Sequence, residues 1–156
     1  MCGYFLGELF YKCARKVIAT TPSPLHKLIR ALLFGVRSWF FDVWYEPTTL
    51  EELRQALEGF KSLLEEHGIE YLPDSFDCDD FAMSFKVYFA LERKKNSVGL
   101  ALGVIKQNGK VLGGHAWNIA ILEDGNLVFI EPQTFETFTG NISPDGFEYE
   151  LMAVIW

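Results

Sequence analysis

The chain has 156 residues, the length of one domain, and it can bury a core without disulfides or a metal. Its 49% hydrophobic and 22% charged residues exclude a disordered or low-complexity protein. The 14 basic residues against 21 acidic ones give a net charge of −7 without any basic run, so we expect no nucleic-acid partner.

We expect a single domain over residues 1–156, with a helical N-terminal extension (1–45) and a core (46–156). Cys2, Cys13 and Cys78 are too few and too irregularly spaced for a secreted disulfide framework or a zinc site. Glu8 and Lys12 interrupt the apolar run that a signal peptide would need. These features predict a soluble, cytoplasmic protein without a membrane partner, and they leave the oligomeric state open.

The first half of the chain is predicted to be helical. Apolar residues at helical spacing predict a first helix up to about Val17 and a second helix over residues 25–45. The second helix is rich in aromatic residues, which indicates either core packing or a surface for a partner protein. A third helix is predicted to start at a capping box, Thr48 with Glu51 or Thr49 with Glu52, and to end at Gly68.

The second half of the chain changes to strand-like periodicity. After a fourth helix that reaches about Lys95, four strands are predicted over residues 98–105, 114–122, 127–133 and 148–156. Helices followed by an antiparallel sheet indicate an α+β fold.

The thiol of Cys78 is predicted to lie at the start of the fourth helix. Backbone N–H groups and the helix dipole favour a thiolate there, whereas the carboxylates of Asp77, Asp79 and Asp80 disfavour one. Three acids in four positions exceed what helix capping needs, and they suit a hard cation such as calcium. An inert core cysteine with capping aspartates is the alternative.

His115 and Glu131 are the candidate partners of this thiol. His115 follows two glycines and opens a strand, so its imidazole is a candidate general base. Glu131 ends an apolar strand immediately before Pro132, where its carboxylate is a candidate acceptor for the imidazole. Each residue also has a purely structural interpretation, as an ordinary strand start and an ordinary strand exit.

Three motifs together resemble a known family. F-D-C-D-D-F-A from Phe76, G-H-A-W-N from Gly114 and E-P-Q-T from Glu131 are similar to the papain-like cysteine protease domain at the C-terminus of fairy-ring mushroom agglutinin. More broadly, they resemble the papain-like and transglutaminase-like superfamily. The resemblance covers residues 71–134, about 40% of the chain. It implies a papain-like/transglutaminase-like fold in which a helical N-terminal part packs on an antiparallel sheet.

The resemblance also implies roles for individual residues. Cys78 would be the nucleophile of a cysteine peptidase, His115 its base and Glu131 the orienting acid, acting on a peptide or protein substrate through an acyl-enzyme. The metal ligands for calcium or manganese would be Asp79, Asp80 and Gln133. Asn118 is a weaker addition that the resemblance does not supply, since we expect its amide to reach the same region. The metal would assemble the site and would not act as a Lewis acid.

Two alternatives to a peptidase stay open. One is a transglutaminase-like acyl transferase, and the other is a non-catalytic protein-interaction module on the same fold, which would dock a partner through the aromatic residues near Trp39 and Trp44. The predicted strand register also opposes the triad. A two-residue turn at residues 124–125 places Glu131 opposite Asn118, about 10 Å from His115.

Overall fold

The computed structural model describes residues 3–19 and 23–156, so Cys2 lies outside the described residues. Four helices and seven strands run in the order β1 (Tyr4–Phe5), α1 (Leu6–Ala19), α2 (Pro24–Arg37), β2 (Trp44–Tyr45), α3 (Leu50–His67), α4 (Cys78–Arg93), β3 (Val98–Gln107), β4 (Lys110–Ile121), β5 (Leu127–Glu131), β6 (Glu136–Thr139) and β7 (Glu148–Ile155). None of the helices in these two ranges is both long and apolar enough to cross a lipid bilayer.

A five-stranded antiparallel sheet, in the order β6-β5-β4-β3-β7, forms the middle layer of the molecule. Helices α1 and α2 pack on one face, where Leu9, Cys13 and Phe34 meet Trp117 and Phe129. Helices α3 and α4 pack on the other face, against even-numbered residues of β4 and β5. This division follows from strand geometry, because successive side chains point to opposite faces.

Helix α3 begins as its sequence predicts. The hydroxyl oxygen of Thr49 accepts a hydrogen bond from the Glu52 N–H at 3.0 Å, and the Glu52 carboxylate accepts one from the Thr49 N–H at 3.0 Å. The capping box at Thr49 and Glu52 is therefore confirmed. Gly68 ends the helix in the left-handed conformation, with φ of 60°, which is also as predicted.

Helix α2 ends at Arg37, so the prediction of a helix over residues 25–45 is wrong beyond that point. The backbone N–H of Trp39 donates to the Val154 carbonyl at 2.8 Å, and the Trp156 N–H donates to the Trp39 carbonyl at 2.8 Å. The chain after α2 therefore pairs with the end of β7. These hydrogen bonds to the sheet replace the ones that a continuing helix would make.

The aromatic residues of this region divide between the core and the surface. Phe34 and Tyr45 are fully buried. Trp39, Phe41 and Trp44 are exposed, by 61%, 74% and 43%. That a partner protein docks on the exposed Trp39, Phe41 and Trp44 stays a prediction.

The turn between β4 and β5 contains three residues instead of the predicted two. The Leu122 N–H donates to the Asn126 carbonyl at 2.9 Å, which leaves residues 123–125 in the loop. Gly125 adopts φ of +82°, as the last residue of a three-residue hairpin loop commonly does. Asn118 consequently pairs with Ile130, one position away from the predicted register.

Candidate functional site

His115 and Glu131 contact each other directly. His115 Nε2 lies 2.6 Å from Glu131 Oε2. Because Asn118 pairs with Ile130, Glu131 comes opposite Trp117 and shares a sheet face with His115, two residues further along β4. The predicted separation of about 10 Å, which assumed the two-residue turn, is therefore wrong.

The carboxylate of Glu131 is buried and has three hydrogen-bond donors. Besides His115, it accepts from the Tyr149 hydroxyl at 3.0 Å and from the Gln133 backbone N–H at 3.2 Å. Burial raises the pKa of Tyr149, and the negative charge of Glu131 raises it further. The sequence analysis missed Tyr149, because its local sequence does not distinguish it from other tyrosines of the chain.

The imidazole of His115 is held by aromatic rings as well as by Glu131. Its ring stacks on Trp117 with centroids 6.0 Å apart, and it meets the edge of Tyr149 at 5.6 Å. Since Glu131 binds Nε2, a second partner of the imidazole must bind Nδ1. Among the described residues, the hydrogen bond of the His115 side chain is to Glu131 and not to Cys78.

Cys78 is half-buried at the first residue of α4. Burial raises the pKa of its thiol, a backbone hydrogen bond from Ala116 opposes this, and the charges of Asp77 and Asp79 raise the pKa further. The pKa of Cys78 is raised overall, so burial and the neighbouring carboxylates outweigh the backbone hydrogen bonds that lower it. A nucleophilic cysteine reacts as the thiolate, which a raised pKa disfavours.

Acidic side chains surround this thiol. Ligand atoms of Asp77, Cys78 and Asp79 all lie within 4.8 Å of one another. A hydrogen bond between the two carboxyl groups lowers the pKa of Asp77 and raises that of Asp79. Oδ1 of Asp77 is buried and has no hydrogen-bond partner within the described ranges. Two neighbouring carboxylates, one of which has this oxygen available, suit a divalent cation.

Two of the other predicted ligands have structural partners. Asp80 Oδ2 accepts the Asp77 backbone N–H at 3.3 Å and so caps α4. Asn118 is fully buried, and its Nδ2 donates to the carbonyls of Ala82 at 2.8 Å and Gly99 at 3.2 Å, which ties α4 to β3. A ligand role for Asp80 or Asn118 stays a prediction.

Gln133, also a predicted ligand, lines a cleft of about 280 Å³ that we call the Gln133 cleft. Its walls are Lys61, Leu64, Glu65, Ile69, Glu70, Tyr71, Phe81, Gln133 and Phe135. Nε2 of Gln133 is buried and lacks a hydrogen-bond partner within residues 3–19 and 23–156. Tyr71 is 50% exposed. Burial raises its pKa, and the charge of Asp77 raises it further. The cleft also includes Phe81, which directly follows Asp80 on α4, so it lies next to the acidic cluster.

The chain matches one protein family in sequence and several solved structures in fold. A family model of the ricin-type beta-trefoil lectin C-terminal domain matches residues 52–151. Polyporus squamosus lectin, solved with the human-type influenza-binding epitope Neu5Aca2-6Galb1-4GlcNAc, has a TM-score of 0.66 at 18% identity. A PSL1a-E64 complex has a TM-score of 0.63, also at 18% identity. No curated protein matches the chain.

The matched solved chains are longer than this chain. The two alignments cover 99% of this chain but 49% and 51% of the matched chains, so this chain spans about half their length. At this identity the likeness shows a shared fold. The predicted papain-like/transglutaminase-like fold is wrong, because the structures that share the fold are lectin structures. A Cys-His-acid set is a local arrangement that recurs on unrelated folds, so three motifs could not define this one.

The prediction of a cysteine peptidase or acyl-transfer enzyme is also corrected. The matched family is a lectin family. The expectation of a peptide or protein substrate is corrected with it. The family model covers well over half of the chain. This chain belongs to the family of ricin-type beta-trefoil lectin C-terminal domains.

Proposed function

We propose that this chain is a carbohydrate-binding domain without catalytic activity, and that a sugar binds in the Gln133 cleft. The observation that carries the proposal is the buried, unpartnered Nε2 of Gln133 in a cleft beside the half-exposed ring of Tyr71. A buried donor without a partner costs free energy, and a ligand oxygen at this position removes that cost. Family membership supports a sugar as the source of that oxygen.

The walls of the Gln133 cleft offer the groups that a sugar needs. Tyr71 presents an aromatic face to the C–H groups of a pyranose ring, and Glu65 and Glu70 offer carboxylate oxygens to its hydroxyl groups. Lys61 adds a donor, which lies 5.8 Å from the ring centroid of Phe135. An aromatic wall with a few polar groups is the usual composition of a small-molecule site.

We assign His115 and Glu131 a structural role beside this cleft and not a catalytic one. Glu131 Oε1 accepts the backbone N–H of Gln133, and the other oxygen is held by His115 and Tyr149. The buried network thereby fixes the start of the loop that carries the Gln133 side chain. In this proposal, His115 and Glu131 position the side-chain amide of Gln133, which binds the ligand.

We also propose that a divalent cation, calcium or manganese, binds at Asp77 and Asp79 beside Cys78. The closeness of the two carboxylates and the buried Asp77 Oδ1, which has no hydrogen-bond partner among the described residues, support this. When bound, the cation would supply positive charge between the two carboxylates. The chain's own contribution is to hold the two carboxylates at the start of α4, next to the Gln133 cleft.

The experiment is a titration by isothermal calorimetry with N-acetyllactosamine and with the sialylated trisaccharide found on the neighbouring lectin. Wild-type protein is expected to bind, and Gln133→Leu and Tyr71→Ala are each expected to weaken binding at least fivefold. Gln107→Leu, an exposed glutamine at the end of β3, is the matched control. Cys78→Ala is expected to bind as wild type does, because the proposal gives the thiol no chemistry.

Two outcomes would contradict the proposal. One is that no glycan binds at millimolar concentration. The other is that the protein cleaves a peptide in a reaction that Cys78→Ala abolishes.

A further inference from the structure

A basic cleft lies at the opposite end of the β5–β6 hairpin from the Gln133 cleft. It has a volume of about 510 Å³ and lies between α1 and the hairpin. The five residues of β5 separate the two clefts by about 13 Å. We call it the α1 cleft, and its lining residues are Lys12, Arg15, Lys16, Ala19, Gly125, Asn126, Leu127, Thr139 and Gly140.

All the charged residues that line the α1 cleft are basic. Lys12, Arg15 and Lys16 follow the helical spacing that places them on one side of α1. The adjacent stripe of α1, with Leu9, Cys13 and Val17, is buried in the core. This burial fixes the rotation of the helix about its axis and therefore the direction in which its basic side chains point. This concentration of positive charge occurs in a chain of net charge −7.

Two of the three cations are fixed in position. Lys12 Nζ donates to the Gly125 carbonyl at 2.8 Å, and Lys16 Nζ donates to the Gly140 carbonyl at 3.2 Å. Lys16 Nζ also lies 4.3 Å from the centroid of the buried Phe129 ring. Burial lowers the pKa of Lys16. An anion bound in the cleft would favour the charged ammonium.

Asp124, a carboxylate beside the cleft, has hydrogen-bond donors of its own. Its two oxygens accept from the backbone N–H and the side-chain amide of Asn126, both at 2.9 Å. The charge of Lys12 contributes to lowering the pKa of Asp124, after the hydrogen bonds from Asn126. Asp124 is therefore already hydrogen-bonded within its own turn.

We propose that the α1 cleft binds the anionic group of an acidic sugar. The inference rests on the proposed carbohydrate-binding function and names the substrate class. The three cations attract a single anionic group, while Thr139, Asn126 and the exposed backbone of Gly140 are partners for neighbouring hydroxyls. The acidic remainder of the chain repels polyanions, so the cleft suits a small ligand of low charge and not a nucleic acid.

The test compares lactose, 6′-sialyllactose and inorganic sulfate by heteronuclear NMR titration of the full chain. We expect 6′-sialyllactose to bind at least fivefold more tightly than lactose and to shift the amides of Asn126 and Gly140. Arg15→Gln removes an exposed cation of the cleft and is expected to reduce that preference at least fivefold. Lys110→Gln, an exposed lysine at the start of β4, is the matched control and is expected to change nothing.

Each other outcome overturns the inference in a distinguishable way. Equal affinity for lactose and 6′-sialyllactose would leave the carbohydrate-binding function standing and remove the acidic specificity. Sulfate that binds as tightly as the sialylated sugar would mean a general anion site. Tyr71→Ala abolishing the sialyllactose preference would place that ligand in the Gln133 cleft, and absence of any glycan binding would end both proposals.

Discussion

His115 and Glu131 are joined by a 2.6 Å hydrogen bond across β4 and β5 because the turn between these strands holds three residues. One residue fewer in the turn would point Glu131 to the other face of the sheet, since strand side chains alternate. The hydrogen bond also connects to Tyr149 and, through the Gln133 N–H, to the start of the proposed sugar site. A short turn on the surface thus decides the geometry of a buried polar network.

The first prediction concerns this network. Glu131→Gln is expected to lower the free energy of unfolding by about 1–3 kcal/mol, because it weakens three hydrogen bonds to a buried carboxylate. Thermal unfolding followed by circular dichroism should show a Tm about 3–10 °C below that of wild type. Glu136→Gln, on the paired position of β6, is the control, and an equal loss there would mean that the network has no special role.

The second prediction is a pH dependence at Glu52. Burial alone would raise the pKa of Glu52, but hydrogen bonds from Lys95, Thr49 and Thr48 outweigh it and lower the pKa to about 2 from 4.5. A depressed pKa in the folded state contributes stability above the unfolded value, and this stability is lost as the pH falls. The contribution is therefore complete above pH 4.5 and disappears towards pH 2.

Urea unfolding of Glu52→Gln measures this contribution. At pH 7 the variant is expected to be about 1 kcal/mol less stable than wild type, since it loses part of a capping box and a surface ion pair. The difference is expected to shrink at pH 3. Glu51→Gln, one residue away and exposed, should match wild type at both pH values, and a pH-independent gap for Glu52→Gln would refute the assignment.

The third prediction compares two strand glycines. A Cβ at Gly103 would lie 2.1 Å from the Glu150 backbone oxygen, at the register shift between β3 and β7. Gly103→Ala is expected to destabilise the protein by about 2–4 kcal/mol. A Cβ at Gly113 meets no atom within 4 Å, so Gly113→Ala is expected to be neutral or slightly stabilising in the same urea experiment. Similar losses for both variants would contradict the packing described for β3.

The fourth prediction tests the cation. Calcium or manganese at one hundred times its dissociation constant would stabilise the folded state by about 2.7 kcal/mol, if it binds only the folded chain. The Tm should then rise by about 5–10 °C. Asp79→Asn is expected to abolish the rise, while Glu66→Gln, an exposed acid of α3, keeps it. A rise that survives Asp79→Asn would place the cation elsewhere.

Local sequence predicted the features that depend on a few neighbouring residues. The capping box of Thr49 and Glu52 and the left-handed Gly68 depend on hydrogen bonds and backbone freedom within one or two helical turns. The helix start at Cys78 was predicted for the same reason. Strand β6 was not predicted, because it is four residues long. It follows Phe135, which has a φ of 60° although it is not a glycine, and no local sequence signal predicts that conformation.

The sequence by itself determined the chemistry available to this protein: a thiol among acids, an imidazole, a carboxylate and three cations at helical spacing on α1. Only the tertiary structure decided how these groups act. Burial and the charges of Asp77 and Asp79 raise the Cys78 pKa, and pairing with β7 ends α2 at Arg37. The reason is physical, since side-chain pKa values and strand register depend on groups that are distant in sequence and near only after folding.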